Sequence, residues 1–178
     1  YSERRMVDNI RRLPKAKLVN KGKSDPLEGV LPEGLELTVK IDIDPDDAMI
    51  HVDLSDNPPS VDAGLNTSLG AATSAVVGAI FNALDKDLPR NEGTFRGVTI
   101  IAPEGTVVNS RPPAPVTMCT VYPGQQMIHA CWKALAQAAP TRACAGWGTT
   151  TYPVTASTDE TGRTAVVYHW AGSCGGGA

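Results

Sequence analysis

The chain has 178 residues, of which 42% are hydrophobic and 20% charged, with a formal net charge of −3. That length suits one domain or a piece of a larger one, and the composition is ordinary for a globular protein. The acidic balance gives no basic field for nucleic acid, and no apolar run approaches the ~20 residues of a membrane span.

Ser2 can cap a first helix, whose apolar stripe is Met6, Ile10 and Leu13. Pro14 ends it. Arg4, Arg5, Arg11, Arg12, Lys15 and Lys17 make a local basic run that reads as a solvated helix face and loop. Residues 15–34 are polar and punctuated by Gly and Pro, which predicts a loop or linker. Leu35, Leu37, Val39, Ile41 and Ile43 then alternate with polar neighbours, the pattern of a half-buried strand. After the turn at Asp44-Pro45-Asp46-Asp47, Ile50, Val52 and Leu54 alternate with His51 and Asp53, which completes a β-hairpin with one wet face. The Asp42, Asp44, Asp46 series mimics the start of a calcium loop. However, Asp47 stands where that loop needs glycine and Asp53 where it needs a bidentate Glu, so an acidic hairpin turn is the preferred reading.

Asn66 or Thr67 caps a second helix that runs to about residue 84. Leu69, Thr73, Val76, Ile80 and Leu84 mark its apolar face, widened by Val77 and Phe81, while Ala71, Ala75, Gly78 and Ala79 flatten another. A helix apolar nearly all round is buried on two sides. Residues 86–97 form a polar turn holding Asn91, Gly93 and Arg96; residues 98–102 form a short strand; Pro112, Pro113 and Pro115 stiffen the return. A further helix covers residues 124–139, with Cys131 and Leu135 on its stripe and His129 off it. A hairpin follows over residues 151–170. The close, Gly172-Ser173-Cys174-Gly175-Gly176-Gly177, suits either a ligand-approaching backbone or a loose chain end. The expected fold class is therefore mixed α+β, β-hairpins packed with two or three helices as part of a larger subunit. It divides into an N-terminal helix and linker (1–34) and a mixed segment (35–178).

Chemistry is sparse. The four cysteines (119, 131, 144, 174) lack C-x-x-C or zinc-finger spacing. They read as buried thiols of a reducing compartment, and with no secretory signal visible the expected location is cytoplasmic. Three histidines exist, but no Gly-x-Ser-x-Gly elbow accompanies them. Ser173-Cys174, with His169 nearby in the chain, is a weak nucleophile candidate. His51 and Asp53 share a strand face and offer two metal ligands without a third. No Walker A or dinucleotide fingerprint occurs.

These pieces, in this order, resemble the hydantoinase B/oxoprolinase family. The matching stretches are Tyr1-Ser2-Glu3-Arg4-Arg5-Met6, His51-Val52-Asp53-Leu54-Ser55-Asp56, the Asn66 loop with its helix, and Leu88-Pro89-Arg90-Asn91-Glu92-Gly93-Thr94-Phe95-Arg96. Ile101-Ala102-Pro103-Glu104-Gly105-Thr106, Asn109, Arg111-Pro112-Pro113-Ala114, Ala134-Leu135-Ala136-Gln137-Ala138-Ala139-Pro140 and the glycine-rich close continue the match. Met118-Cys119-Thr120-Val121-Tyr122-Pro123 departs from a family Gly-Asn-x-Glu-Thr stretch. The family comprises B-type subunits of ATP-dependent hydantoinases, 5-oxoprolinases and lactamases, with the α subunits of acetone and acetophenone carboxylases as relatives.

The resemblance implies a segment of an ATP-dependent amidohydrolase acting on a cyclic amide (hydantoin, 5-oxoproline or a lactam). A component of an ATP-dependent carboxylase, or a non-catalytic docking fragment of such a complex, is the alternative. The implied partners are an ATP-binding hydantoinase A-type partner, as a separate chain or domain, and the remainder of the B-type chain, with neither nucleic acid nor membrane among them. ATP is then bound by the partner, and a divalent metal by a family region ahead of this one, so no metal ligand falls on this chain. The first residue is Tyr1 and the end is Gly-Gly-Gly-Ala, which, with the resemblance, sets the expectation that only the family's middle to C-terminal part is matched. The implied substrate-binding residues are Arg96, Asn91, Asn66, Asp53, Gly175 and Gly176; no catalytic residue is assigned.

Overall fold

The computed structural model describes residues 1–85, 87–143, 145–148 and 154–169. The chain divides into two compact units, Tyr1–Cys144 and Ala145–Ala178. In the first unit, helix α1 (Ser2–Ile10) precedes strands β1 (Ala16–Lys23), β2 (Glu36–Asp44) and β3 (Met49–Asp53). Helix α2 (Leu69–Leu84), the short helix α3 (Glu92–Phe95), strand β4 (Val98–Ile101) and helix α4 (Pro123–Ala138) follow. The second unit contributes strands β5 (Val154–Thr158) and β6 (Thr164–Tyr168). This is the expected mixed α+β architecture, a sheet flanked by helices.

The larger sheet has the order β1-β2-β3-β4. Its first two pairings are antiparallel, and β4 runs parallel to β3. Strand alternation sends Leu37, Val39, Ile41, Ile43, Ile50 and Val52 to one face, each no more than 1% exposed. Burying side chains of this kind stabilises by roughly 1.5–3 kcal/mol each. The opposite face is wet and carries cross-strand ion pairs, Lys17 with Asp42, Lys21 with Glu36 and Lys40 with Asp53, and Lys40 also pairs with Asp56 in the turn after β3.

Strand β1 corrects the expectation of a loop or linker over residues 15–34. Its alternation was disguised. Lys17, Lys21 and Lys23 occupy outward positions, while one inward position is Gly22. That glycine is small because α4 crosses there: a Cβ on Gly22 would stand 2.3 Å from the Gln126 carbonyl oxygen. Helix α4 covers β1 and β2, and α2 packs on α4. The Trp132 indole N–H donates to the Ala79 carbonyl at 3.2 Å and joins the two helices.

The helix starts also differ from expectation. Ser68, rather than Asn66 or Thr67, caps α2, its hydroxyl accepting from the Ala71 N–H at 3.3 Å. Ser2 is the first residue of α1 rather than its cap. On α2, Ala72, Ala75, Ala79 and Ala83 face the interior with Val76 and Ile80, whereas Leu69 is 49% exposed. A helix apolar on nearly every side has no single face to read, and here the small residues permit the close approach of α4. In the second unit β5 and β6 pair antiparallel, Val154 opposite Tyr168 through Thr158 opposite Thr164. The Asp159 carboxylate closes their turn by accepting from the Thr161 and Arg163 N–H groups.

Candidate functional site

Between α2 and β4 the expected polar turn folds into α3. Asn91 caps it, its side-chain oxygen accepting from the Gly93 N–H at 3.1 Å. The Thr94 hydroxyl, fully buried, donates back to the Pro89 carbonyl. The turn is also docked against α1. The Asn91 amide donates to the Ser2 hydroxyl at 2.8 Å, and the Arg96 guanidinium donates to the Glu3 carboxylate at 2.9 Å. Gly97 lies so close to Met6 that an added Cβ would stand 2.8 Å from its side chain. Below this contact Arg5 pairs with Asp85 at 2.6 Å. Partial burial pushes the Asp85 carboxyl up, but the Arg5 guanidinium, the Asp87 N–H and Asn9 together outweigh it and hold it below the usual range.

Asp53 lies elsewhere. Its strand register sets it opposite Ile101, at the far end of β4 from Arg96. Its carboxyl is held low by the Ser55 hydroxyl and N–H, assisted by Lys40. His51, on the same wet face, bonds Thr99 through Nδ1 at 2.7 Å. Among the described residues no three His, Cys, Asp or Glu side chains gather closely enough to hold a metal ion.

Asn66 is in a third place and completely buried. Its side-chain oxygen accepts from the Val61 N–H at 2.8 Å, while its amide faces the carbonyls of Val61, Ala63 and Pro115 at 2.8, 2.9 and 2.9 Å. The structure thus brings Asn91 and Arg96 together and leaves Asp53 and Asn66 apart from them. Gly175 and Gly176, with Ser173-Cys174, lie outside the described residues. Cys131 is inert, since full burial pushes its thiol up to about 12. His129 is half-buried beside Trp132, and burial, with the Lys133 charge, lowers its pKa and favours the neutral ring.

One feature escaped the sequence reading. A groove of about 400 Å³ runs between the outward side of α2 and the α3 turn, lined by Ser74, Val77, Gly78, Phe81, Arg90 and Phe95. The Phe81 and Phe95 ring centroids are 5.5 Å apart. The signal was present: residues 74, 77, 78 and 81 have the i, i+3, i+4, i+7 spacing of a second helix stripe.

The hydantoinase B/oxoprolinase description matches residues 1–178. The chain belongs to the hydantoinase B/oxoprolinase family. The match over the whole chain overturns the expectation of a resemblance restricted to the family's middle to C-terminal part. The beta chain of the caprolactamase of Pseudomonas jessenii is 36% identical over 115 residues, 64% of this chain and 19% of that protein. A crystal structure of the ATP-dependent caprolactamase from the same organism superposes with a TM-score of 0.76 and 28% identity, covering 95% of this chain and 28% of that one. The B-type chain of a putative D-/L-hydantoinase of Pseudomonas sp. (strain NS671) is 30% identical over 156 residues, 83% of this chain and 26% of that protein. An acetone carboxylase structure shares the fold, with a TM-score of 0.77 at 13% identity over 97% of this chain and 26% of that one. This family member therefore spans about a fifth to a quarter of the two curated relatives. No helix among the described residues is long and apolar enough to cross a membrane.

Proposed function

We propose that this chain acts as a segment of an ATP-dependent cyclic-amide hydrolase, working with an ATP-binding A-type partner. The observation that carries this reading is the family match along residues 1–178, with the caprolactamase and hydantoinase chains at 36% and 30% identity. The carboxylase alternative rests on a likeness of fold at 13% identity and has the weaker support.

The chemistry is balanced as follows. The partner transfers a phosphoryl group from ATP to the amide oxygen, releasing ADP and turning a poor leaving group into phosphate. Water adds to the activated carbon, the ring C–N bond breaks to free the amine and leave an acyl phosphate, and a second water cleaves that to a carboxylate and inorganic phosphate. Negative charge accumulates on the phosphorylated species and its adduct, and fixed dipoles and cations stabilise such charge without reorganising. Arg96 is the residue of this chain suited to that task, with Asn91 fixing its turn. Its guanidinium is 59% exposed, and its pair with the 53% exposed Glu3 is of the weak, exchangeable kind. Asp53 is proposed as a further substrate contact, and the cytoplasm as the location. Asn66 serves by holding the loop ahead of α2.

The test is ring opening of ε-caprolactam, hydantoin and 5-oxoproline by the intact protein with its A-type partner, measured with and without ATP. Stoichiometric, ATP-dependent ring opening of one of them is expected. A complex that forms and consumes ATP without opening any ring would overturn the reading.

A further inference from the structure

Two surfaces of this chain are apolar, uncharged and open to water. The first lies over α2, which carries no charged residue. The groove beside the α3 turn, of about 400 Å³, and a second of about 360 Å³ against the start of α4 both include Ser74, so they join into one trough. Gly70, Ser74 and Gly78 form its floor, with Phe95 on one wall and Ile128 on the other. Gly22 and Gly97 have a steric reason, because added Cβ atoms would stand 2.3 and 2.8 Å from their neighbours. A Cβ on Gly70 or Gly78 would meet nothing within 4 Å. What these two glycines do is let something else come close to the α2 backbone. The second surface is the β5–β6 hairpin. Every residue of both strands is exposed and none is charged. The register sets Val154 opposite Tyr168 and Ala156 opposite Val166 on one face. Val154, Val166 and Tyr168 are 52%, 55% and 69% exposed, so nothing covers that face. A lone two-stranded ribbon is marginally stable in water, and these strands lack the lysines and prolines that keep edges from pairing.

We propose that the two surfaces meet between molecules. The hairpin of one copy seats its Val154, Val166 and Tyr168 face in the α2 trough of a second copy, and the exchange is reciprocal. The shapes agree. The trough is concave and the ribbon convex, whereas two troughs set face to face would enclose a void. Gly70 to Gly78 spans about 12 Å of helix axis, and a five-residue strand about 14 Å. The charges agree too, since both surfaces are neutral at the centre. At the rim of the trough Arg90 is exposed; it donates to the Asn82 side-chain oxygen at 3.2 Å and forms no ion pair among the described residues. In the hairpin turn Glu160 is exposed and likewise forms none, while the Asp159 carboxylate is committed to the Thr161 and Arg163 N–H groups. A ribbon lying with its turn toward Phe95 brings Glu160 of one copy to Arg90 of the other. Each seated ribbon removes on the order of 600 Å² from the two molecules, so the reciprocal pair reaches roughly 1,200 Å², the lower bound of stable interfaces. Reciprocity closes the assembly as a two-fold dimer. The proposal is independent of the hydrolase reading.

Sedimentation equilibrium of the intact protein tests this. A dimer in the micromolar range is expected, as suits an interface at that lower bound. Val166→Asp places a charge on the seated face, and Gly78→Leu fills the trough. Each is expected to raise the dissociation constant at least about tenfold, with the helical signal unchanged because both side chains enter open space in the monomer. Arg90→Glu and Glu160→Arg are each expected to weaken the dimer by about tenfold over its two contacts, and the double reversal to restore it. Arg90→Glu leaves the hairpin sequence intact, so its effect is not hairpin unfolding. Amide exchange of residues 70–81 is expected to slow as the dimer forms on raising the concentration. A monomer at every concentration, a dimer indifferent to Val166→Asp and Gly78→Leu, or a double reversal no tighter than the single ones would each overturn the proposal. So would a trough already shielded in the monomer by another part of its own chain, or shielded only by an A-type partner.

Discussion

Replacing Asn66 separates a structural from a catalytic role. Its amide group is completely buried and engages four backbone groups, the Val61 N–H and three carbonyls. Two amide protons shared among three acceptors give at most two full bonds, and the oxygen supplies a third. Asn66→Ala deletes all of them and strands several buried polar groups. Each stranded group costs about 1–3 kcal/mol, less whatever water can recover. A loss of roughly 3–5 kcal/mol follows, a large share of the ~5–15 kcal/mol typical of a domain. With a urea slope of about 1–3 kcal/mol per molar, the unfolding midpoint falls by roughly 1–5 M. Asn66→Asp keeps the bond from Val61 but sets a carboxylate against three carbonyl oxygens, so it is expected to be no better than alanine. Urea titration followed by circular dichroism measures both. A midpoint within about 0.3 M of wild type, together with lost ring opening, would refute the clamp and restore Asn66 as a substrate contact.

Three further outcomes follow from the same geometry. Gly22→Ala drives a methyl into the Gln126 carbonyl, so α4 must lift from β1, with an expected loss of about 1–3 kcal/mol by urea titration. Asp85→Asn tests linkage. The folded Asp85 pKa lies below its unfolded value, so its stabilising contribution is complete above the unfolded carboxyl pKa of about 4 and is lost as pH falls through the folded value. The midpoint gap between wild type and Asp85→Asn is therefore expected to be open at neutral pH and to close in acid. Cys131, with its thiol pushed up to about 12 and fully buried, is expected to resist alkylation in the native protein and to react in denaturant, read by peptide mass mapping. Native labelling of Cys131 at the denatured rate would contradict its placement.

The fold was legible where burial imposes a strict period. Residues 36–44 alternate because one sheet face is dry and the other wet, and that pattern needs no neighbours to be read. Strand β1 was hidden because its inward side was thinned to Gly22 by a helix more than a hundred residues away. The capping serine of α2 was missed because Asn66, Thr67 and Ser68 are all competent caps, and tertiary demands on Asn66 decided between them. The site was less legible still. Asn91 and Arg96 were correctly placed in one turn, yet their partners Ser2 and Glu3 are about ninety positions distant, and no local pattern announces them. The groove was obscured by the all-round apolarity of α2, which hides a second stripe inside the first.

On the proposed hydrolase reading, the ionisation states narrow what these residues contribute. A general acid at neutral pH needs a carboxyl pushed up, as burial without a partner provides. Here the shifts run the other way. The Asp44 carboxyl is held low by the Asp47 N–H and Lys15, Asp53 by Ser55, and Glu104 by Arg111. Asp85 is held low by Arg5 against its own burial. His129 is shifted toward the neutral ring, and the buried Cys131 thiol keeps its proton. The carboxylates in these states supply fixed negative charge rather than protons. That suits a reaction whose barrier is lowered by phosphorylation, since an activated phosphate leaves without an acid to protonate it. It follows that Arg96→Ala should slow ring opening by a factor that changes little with pH across the neutral range. A rate loss growing steeply on either side of neutrality would instead mean that the arginine acts through the pKa of a neighbouring acid or base.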